Sequence, residues 1–169
     1  MLFRNIPGYS SVYSVSQTGV VRGPRKILKQ QINDGGYKTA VVVNDEGKAV
    51  KRKTSRLVAL AWIRNPNPVE AQWVDHINRD RVCNDVDNLR WIDPVCHALN
   101  NDADACHKTN NKTNPFRARI RVDGKTIELG YYKTRKEASS VARELRENIL
   151  NIRLRALYYE ADSRSPSFM

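Results

Sequence analysis

Turn and breaker signals follow one another so closely through the first 132 residues that only short elements fit between them. Gln17-Thr18-Gly19, Asn44-Asp45-Glu46-Gly47, Asn65-Pro66-Asn67-Pro68, the polar run 78–88, Asp93-Pro94, the polar stretch 110–114 and Asp123-Gly124 are all such signals. Between them, residues 12–15, 20–22, 37–43 and 48–53 read as strands, the last two as a hairpin. Thr54 or Ser55 is placed to cap a short helix over 56–63, with Leu57, Val58, Leu60 and Ala61 on its apolar side. Residues 73–77 and 89–92 read as two more short strands around the polar loop. Asp93 before Pro94 is an N-cap residue followed by proline at the first helical position, so a helix carrying His97 starts there.

Only past residue 132 does a longer element become possible. Strands over 116–122 and 125–132 flank Asp123-Gly124, a strong two-residue hairpin signal. Period-two alternation puts Arg117, Arg119 and Arg121 on one face and Phe116, Ala118, Ile120 and Val122 on the other. Thr134-Arg135-Lys136-Glu137 is a capping box. After it, Ala138, Val141, Ala142, Leu145, Ile149 and Ile152 form an apolar stripe at helical spacing, suited to lie on the hairpin's apolar face. The helix is expected to end between Asn148 and Tyr159, and the tail from Asp162 to be disordered. The fold class is therefore α+β and modular. It comprises a small antiparallel β region (1–53), a strand–loop–strand–helix core with a preceding helix (54–107), a small antiparallel sheet packed on a helix (108–155) and a tail (156–169).

Charge is distributed in blocks. The 169 residues carry 29 Lys and Arg against 18 Asp and Glu, a net +11. Residues 1–56 net +8, residues 57–107 net −4, and residues 108–155 net +8. Basic arms suit a polyanion such as double-stranded DNA. An acidic centre on such a protein repels phosphates unless a divalent cation bridges carboxylates and phosphate oxygens. A charge run is also what a solvated face looks like, so the residues inside the acidic middle have to decide. Three cysteines without a CxxC pair argue against a disulfide scaffold and fit a reducing, cytoplasmic setting. No run of 18 apolar residues occurs, and Met1 to Gly8 lacks a basic stretch followed by an apolar one, so neither a membrane span nor a secretory signal is expected.

The acidic middle holds Asp75-His76, Asn84, Asn88-Leu89-Arg90-Trp91 and His97. Phosphodiester hydrolysis needs a base for water and stabilisation of charge on the phosphoryl group and the leaving 3′-oxygen. A neutral imidazole can supply the first near neutral pH. A metal held by a carboxylate and an imidazole can supply the rest. One difficulty stands out: neighbours on a regular strand point to opposite faces. For Asp75 and His76 to serve one site, the strand must end or kink there, or the metal and the attacking water must lie on different sides of the scissile phosphate. Asn88 is suited to bridge the ends of the loop through backbone hydrogen bonds.

The run WVDHINRDRVCNDVDNLRWIDPVCHALN resembles an HNH nuclease motif of the ββα-metal (His-Me finger) group, with His76, Asn88 and His97 at its three letters. The resemblance implies a catalytic pair, His76 as general base and Asn88 as loop brace. It also implies Asp75 and His97 as ligands of one divalent ion, Mg²⁺ or Mn²⁺. IPGYSSVYSVSQTGVVR resembles the nuclease-associated modular domain of phage and intron homing endonucleases, and RLVALAWIRNPNP the helix and proline loop before their core. Ser55 stands where such relatives often carry His. FRARIRVDGKTIELGYYKTRKEASSVA resembles the Apetala-type (ethylene-response-factor) DNA-binding domain, although only two of that family's three strands are evident, with a third before Asn114. Together these resemblances imply a site-specific homing endonuclease acting on double-stranded DNA, a monomer that nicks one strand. It would come from a phage, an intron or a free-standing mobile gene. Arg117, Arg119, Arg121, Lys125, Lys51, Arg52 and Lys53 are the candidate DNA contacts. The alternative is a non-catalytic DNA-binding regulator on the same scaffold.

Other residues invite plainer readings. His107 lies outside the pattern and reads as structural. Asn84 reads as a loop residue before a DNA contact, and Asp80, Asp85 and Asp87 as loop carboxylates. Cys83, Cys96 and Cys106 lack zinc spacing, which disfavours an RNA-binding protein built on structural zinc.

Overall fold

The computed structural model describes residues 1–100 and 105–163. The chain is α+β, with three small antiparallel sheets, one two-stranded ribbon and three helices among the described residues. It divides into two units, Met1–Ile92 and Asp93–Met169.

The first unit contains two three-stranded sheets. One orders β1 (Phe3–Asn5), β2 (Ser14–Ser16) and β3 (Val21–Arg22); the other orders β4 (Gln31–Ile32), β5 (Lys38–Val43) and β6 (Ala49–Lys53). Strands β1 and β4 are additions to what the sequence pattern reveals. Helix α1 (Thr54–Trp62) follows β6 directly, then β7 (Trp73–His76), a single 3-10 turn (Val86–Asn88) and β8 (Leu89–Ile92). Ile6, Val15, Val21, Val42, Leu57, Val58 and Leu89 form one core, which joins both sheets to α1 and β8. Trp62 donates its indole N–H to the Val15 carbonyl (2.9 Å) and Trp91 to the Ile63 carbonyl (3.0 Å). Trp91 is thus buried and Trp62 half-buried, each with its one polar atom satisfied.

The expected cap of α1 is corrected by the structure. Lys53 occupies the N-cap position with no side-chain cap bond, and Thr54 and Ser55 lie inside the helix, buried. The Thr54 hydroxyl instead donates to Gln30 Oε1 (3.2 Å), and Gln30 Nε2 donates to the Gly19 carbonyl (2.6 Å). Tertiary partners have taken a hydroxyl that local geometry would spend on the helix end.

The second unit begins with α2 (Pro94–Leu99), capped by Asp93, whose carboxylate accepts from the Cys96 N–H (2.6 Å). A three-stranded sheet follows in the order β11 (Lys125–Tyr132), β10 (Phe116–Val122), β9 (Cys106–Lys108). Here β9 is the third strand expected before Asn114. Helix α3 (Arg135–Ser163) closes the unit and runs past the expected end at Asn148 to Tyr159. Its capping box is reciprocal: Glu137 N–H donates to Thr134 Oγ1 and Thr134 N–H to Glu137 Oε2, each at 3.2 Å. Ala118, Ile120, Ala138 and Ala142 make the core between sheet and helix. The small residues let the α3 backbone approach the sheet closely. Residues 164–169, the end of the expected disordered tail, lie outside the described residues. No helix among the described residues is long and apolar enough to cross a membrane.

Candidate active site

Pairing of β7 with β8 sets Asp75 opposite Arg90 and His76 opposite Leu89. The strand ends at His76. There the chain turns back, the Arg79 N–H donating to the His76 carbonyl (2.9 Å), with Arg79 itself at φ +63°. Alternation nevertheless holds across the last two residues, and their side chains have different partners. Arg90 donates from Nε (2.9 Å) and Nη2 (2.8 Å) to Asp75 Oδ2. The His76 ring, 4 % exposed, meets Asn84, equally buried, with Nε2 3.1 Å from Oδ1.

Asn84 Nδ2 donates to the Val82 carbonyl (3.3 Å), which turns Oδ1 toward the imidazole. In that arrangement the amide oxygen accepts from His76 Nε2, and Nδ1 is the ring nitrogen that Asn84 does not engage.

The loop that presents Asn84 is held from inside and outside. Asn88 Oδ1 accepts from the Asn78 N–H (3.0 Å), and Asn88 Nδ2 donates to the Cys83 carbonyl (2.8 Å). The Ile77 N–H also donates to the Asn88 carbonyl (2.9 Å). Asn78 and Asp80 each fold onto the backbone two residues on: Asn78 Oδ1 accepts from the Asp80 N–H and Asp80 Oδ1 from the Val82 N–H. From outside, the Val86 N–H donates to the Gln17 carbonyl (2.8 Å), and Gly19, at φ +82°, packs against Asn84 so tightly that a Cβ there would lie 2.9 Å from Asn84 Cβ.

Tyr37, next to β5, brings a further group of side chains to His76, the two ring centroids lying 5.9 Å apart. Lys53 and Arg81 both sit against the same phenol ring. Burial, and secondarily the Arg81 charge, hold the Lys53 ammonium below the usual lysine range. Lys51 and Arg52 are exposed on β6, Arg52 Nε donating to the Tyr9 hydroxyl (3.0 Å).

In the second unit, His97 is exposed on α2, its N–H closing the first turn to the Asp93 carbonyl (3.0 Å). Arg117 is bridged to Glu128 across β10 and β11, Nε to Oε2 at 2.7 Å. That bridge, chiefly through its hydrogen bonds, raises the Arg117 pKa and lowers that of Glu128. A register shift between Ala118 and Arg119 interrupts the row of arginines. Arg119 and Arg121 are exposed, and Lys125 is exposed at the start of β11. Among the described residues, no three His, Cys, Asp or Glu side chains gather as a metal-binding group.

Sequence reading does not single out Arg90, Tyr37 or Arg81, nor does it place Asn84 on His76. Arg90 has a usable signal, because pairing the two short strands in register sets it opposite Asp75. Tyr37 and Arg81 have none, since they reach the site only through the tertiary fold.

No protein-family model matches the chain. Two curated relatives from Acanthamoeba polyphaga mimivirus, both named as uncharacterized HNH endonucleases, are similar to it. One is 37 % identical over 95 residues and the other 33 % over 85, covering 53 % and 48 % of this chain. The chain spans about a quarter of the length of these relatives, 24 % in each case. A solved structure described as DNA binding and cleavage by the HNH homing endonuclease I-HmuI is also similar, at 33 % identity and a TM-score of 0.49, over 55 % of this chain and 53 % of that one. The names of the two relatives make the HNH endonucleases the family to weigh against the geometry.

Proposed function

We propose that the chain is a site-specific, divalent-metal-dependent DNA endonuclease of the HNH type, acting as a monomer that nicks one strand. The observation that carries this reading is the buried His76 imidazole, tied through Nε2 to Asn84 and adjoining Asp75 at the end of β7. An imidazole held through Nε2 leaves Nδ1 as the nitrogen that can take a proton from water. Asn84 holds that ring, and Asn88 holds the loop that holds Asn84. The homing character and a phage, intron or free-standing mobile-gene origin rest on the resemblance of the flanking segments.

Asp75 and His97 would hold Mg²⁺ or Mn²⁺, which when bound supplies Lewis-acid stabilisation of the phosphoryl group and of the leaving oxygen. Carboxylate oxygen suits hard divalent cations, and an ion at Asp75 would displace or share the carboxylate with the Arg90 guanidinium that now holds Oδ2. The exposed basic side chains of the second unit, Arg119, Arg121 and Lys125, would add affinity through phosphates, with Lys51 and Arg52 doing so from the first.

The test is supercoiled plasmid incubated with the protein and Mg²⁺ or Mn²⁺, beside EDTA and His76→Ala controls. Metal-dependent conversion to open circles, lost in the variant, is expected. Salt-sensitive binding without cleavage in either metal would refute the enzyme and leave a DNA-binding regulator. A clean double-strand cut by a verified monomer would refute the single-strand part.

A further inference from the structure

We propose that Lys53 and Arg81, held against Tyr37, form a clamp for a backbone phosphate of the strand being cut, beside His76. This deepens the endonuclease reading and rests on it.

The clamp is built from three separate parts of the first unit. Tyr37 is fixed by the turn that precedes it, its N–H donating to Asn33 Oδ1 (2.9 Å) and its carbonyl accepting from the Asn33 N–H (3.0 Å). Lys53, the last residue of β6, places Nζ 3.5 Å from the centre of the Tyr37 ring. Arg81, from the loop after His76, places its guanidinium carbon 5.2 Å from the same centre. Its Nη1 donates to the Gly35 carbonyl (2.9 Å), which aims the planar fork. Both side chains are exposed, and among the described residues neither is ion-paired with a carboxylate.

Two cations held on one ring repel each other; burial first, and the Arg81 charge second, hold the Lys53 ammonium below the usual lysine range. A ring face offsets only part of this at an exposed site. An anion that touches both relieves the rest. The pairing of a compact ammonium with a planar guanidinium matches a phosphate group, a point charge on one oxygen and a fork on two others. The distance from His76 decides which phosphate. Its ring is 5.9 Å from Tyr37, so an anion on the clamp belongs to the same stretch of backbone as the bond that His76 addresses.

The experiment measures binding of the full chain to a short fluorescent DNA duplex in EDTA, over a series of salt concentrations. Each released phosphate contact removes about 0.9 from the slope of log K against log salt. The double variant Lys53→Gln/Arg81→Gln should lower the slope by about 0.9, one phosphate in all, and each single Gln variant by no more than that, while Lys53→Arg and Arg81→Lys keep it. Nicking of supercoiled plasmid by the Gln variants should recover when protein is raised to saturation, as befits a positioning contact. Bound duplex should also protect Lys53 from acetylation, read by mass spectrometry. Wild-type binding with an unchanged slope in the double Gln variant overturns the clamp and leaves the endonuclease standing. Absence of both binding and cleavage in the wild type overturns the two together.

Discussion

Replacing Asn88 by alanine tests whether one side chain holds the loop that positions the proposed base. Two bonds disappear, the one from the Asn78 N–H to Oδ1 and the one from Nδ2 to the Cys83 carbonyl. Asn78 is exposed, so water takes over its N–H, and that loss is about 0.5–1 kcal/mol. Cys83 is only partly exposed, and its carbonyl, poorly reached by solvent, costs about 1–2 kcal/mol when left unpaired. The sum is about 1.5–3 kcal/mol. For a unit the size of Met1–Ile92 this lowers the melting temperature by roughly 6–15 °C. The expected companion effect is faster hydrogen exchange at the amides of Asn78 and Val82, with nicking reduced at least as much as the loop is loosened. Asn88→Asp sharpens the argument. It keeps the acceptor for Asn78 but turns a carboxylate oxygen toward the Cys83 carbonyl, so near neutral pH it should be at least as damaging as alanine. The neutral acid is favoured in the fold, which raises the pKa of the new carboxyl, so stability returns as pH falls through that value and is lost again as pH rises. An alanine variant that melts within about 0.5 kcal/mol of wild type, with unchanged loop exchange, would refute the brace.

Four further outcomes follow from the same geometry. Gly19→Ala combines a left-handed φ with a Cβ forced onto Asn84, and should cost about 2–4 kcal/mol and impair nicking. Gly47→Ala, also at positive φ but in open space, should cost only about 1–2 kcal/mol in the same thermal melt and spare nicking. Arg90→Gln removes the cation on Asp75 and should destabilise the metal-free protein by about 1–3 kcal/mol, while Mn²⁺ raises the variant's melting temperature more than the wild type's; equal Mn²⁺ shifts would count against Asp75 as a ligand. Burial, then Asp93 beside it, push the Cys96 thiol up to about 11, so it should resist iodoacetamide under mildly alkaline conditions in which Cys83 reacts; because the neutral thiol is favoured in the fold, stability falls as pH rises past the ordinary thiol value toward the raised one.

What the sequence makes legible divides along a physical line. Elements specified by neighbours in the chain are readable: the Asp123-Gly124 hairpin, the Thr134–Glu137 box and the Asp93-Pro94 helix start all stand where local rules put them. Elements specified by distant partners are not. Thr54 has every local mark of a helix cap, yet Gln30 captures its hydroxyl. The far end of α3 is missed because no capping or breaking residue stops the helix between Ile152 and Ala161. Strands β1 and β4 are too short to show alternation and exist because β2 and β5 offer them edges.

The same line runs through the candidate site. Asp75, His76, Asn88 and His97 can be picked out because their spacing is a property of the chain, whereas Asn84 acquires its meaning only from the loop's shape. Nothing in the sequence marks Asn84 over Asn78, its neighbour in the same polar loop. Gly19 makes the difference. It is the residue small enough, at a φ few others adopt, to let the β2–β3 turn close against Asn84 and press it toward His76. The seating of Asn84 against the imidazole therefore depends on a glycine 57 residues upstream of His76 in the chain, in the β2–β3 turn. A substitution that never touches the HNH-like run should accordingly impair nicking as a change within it does.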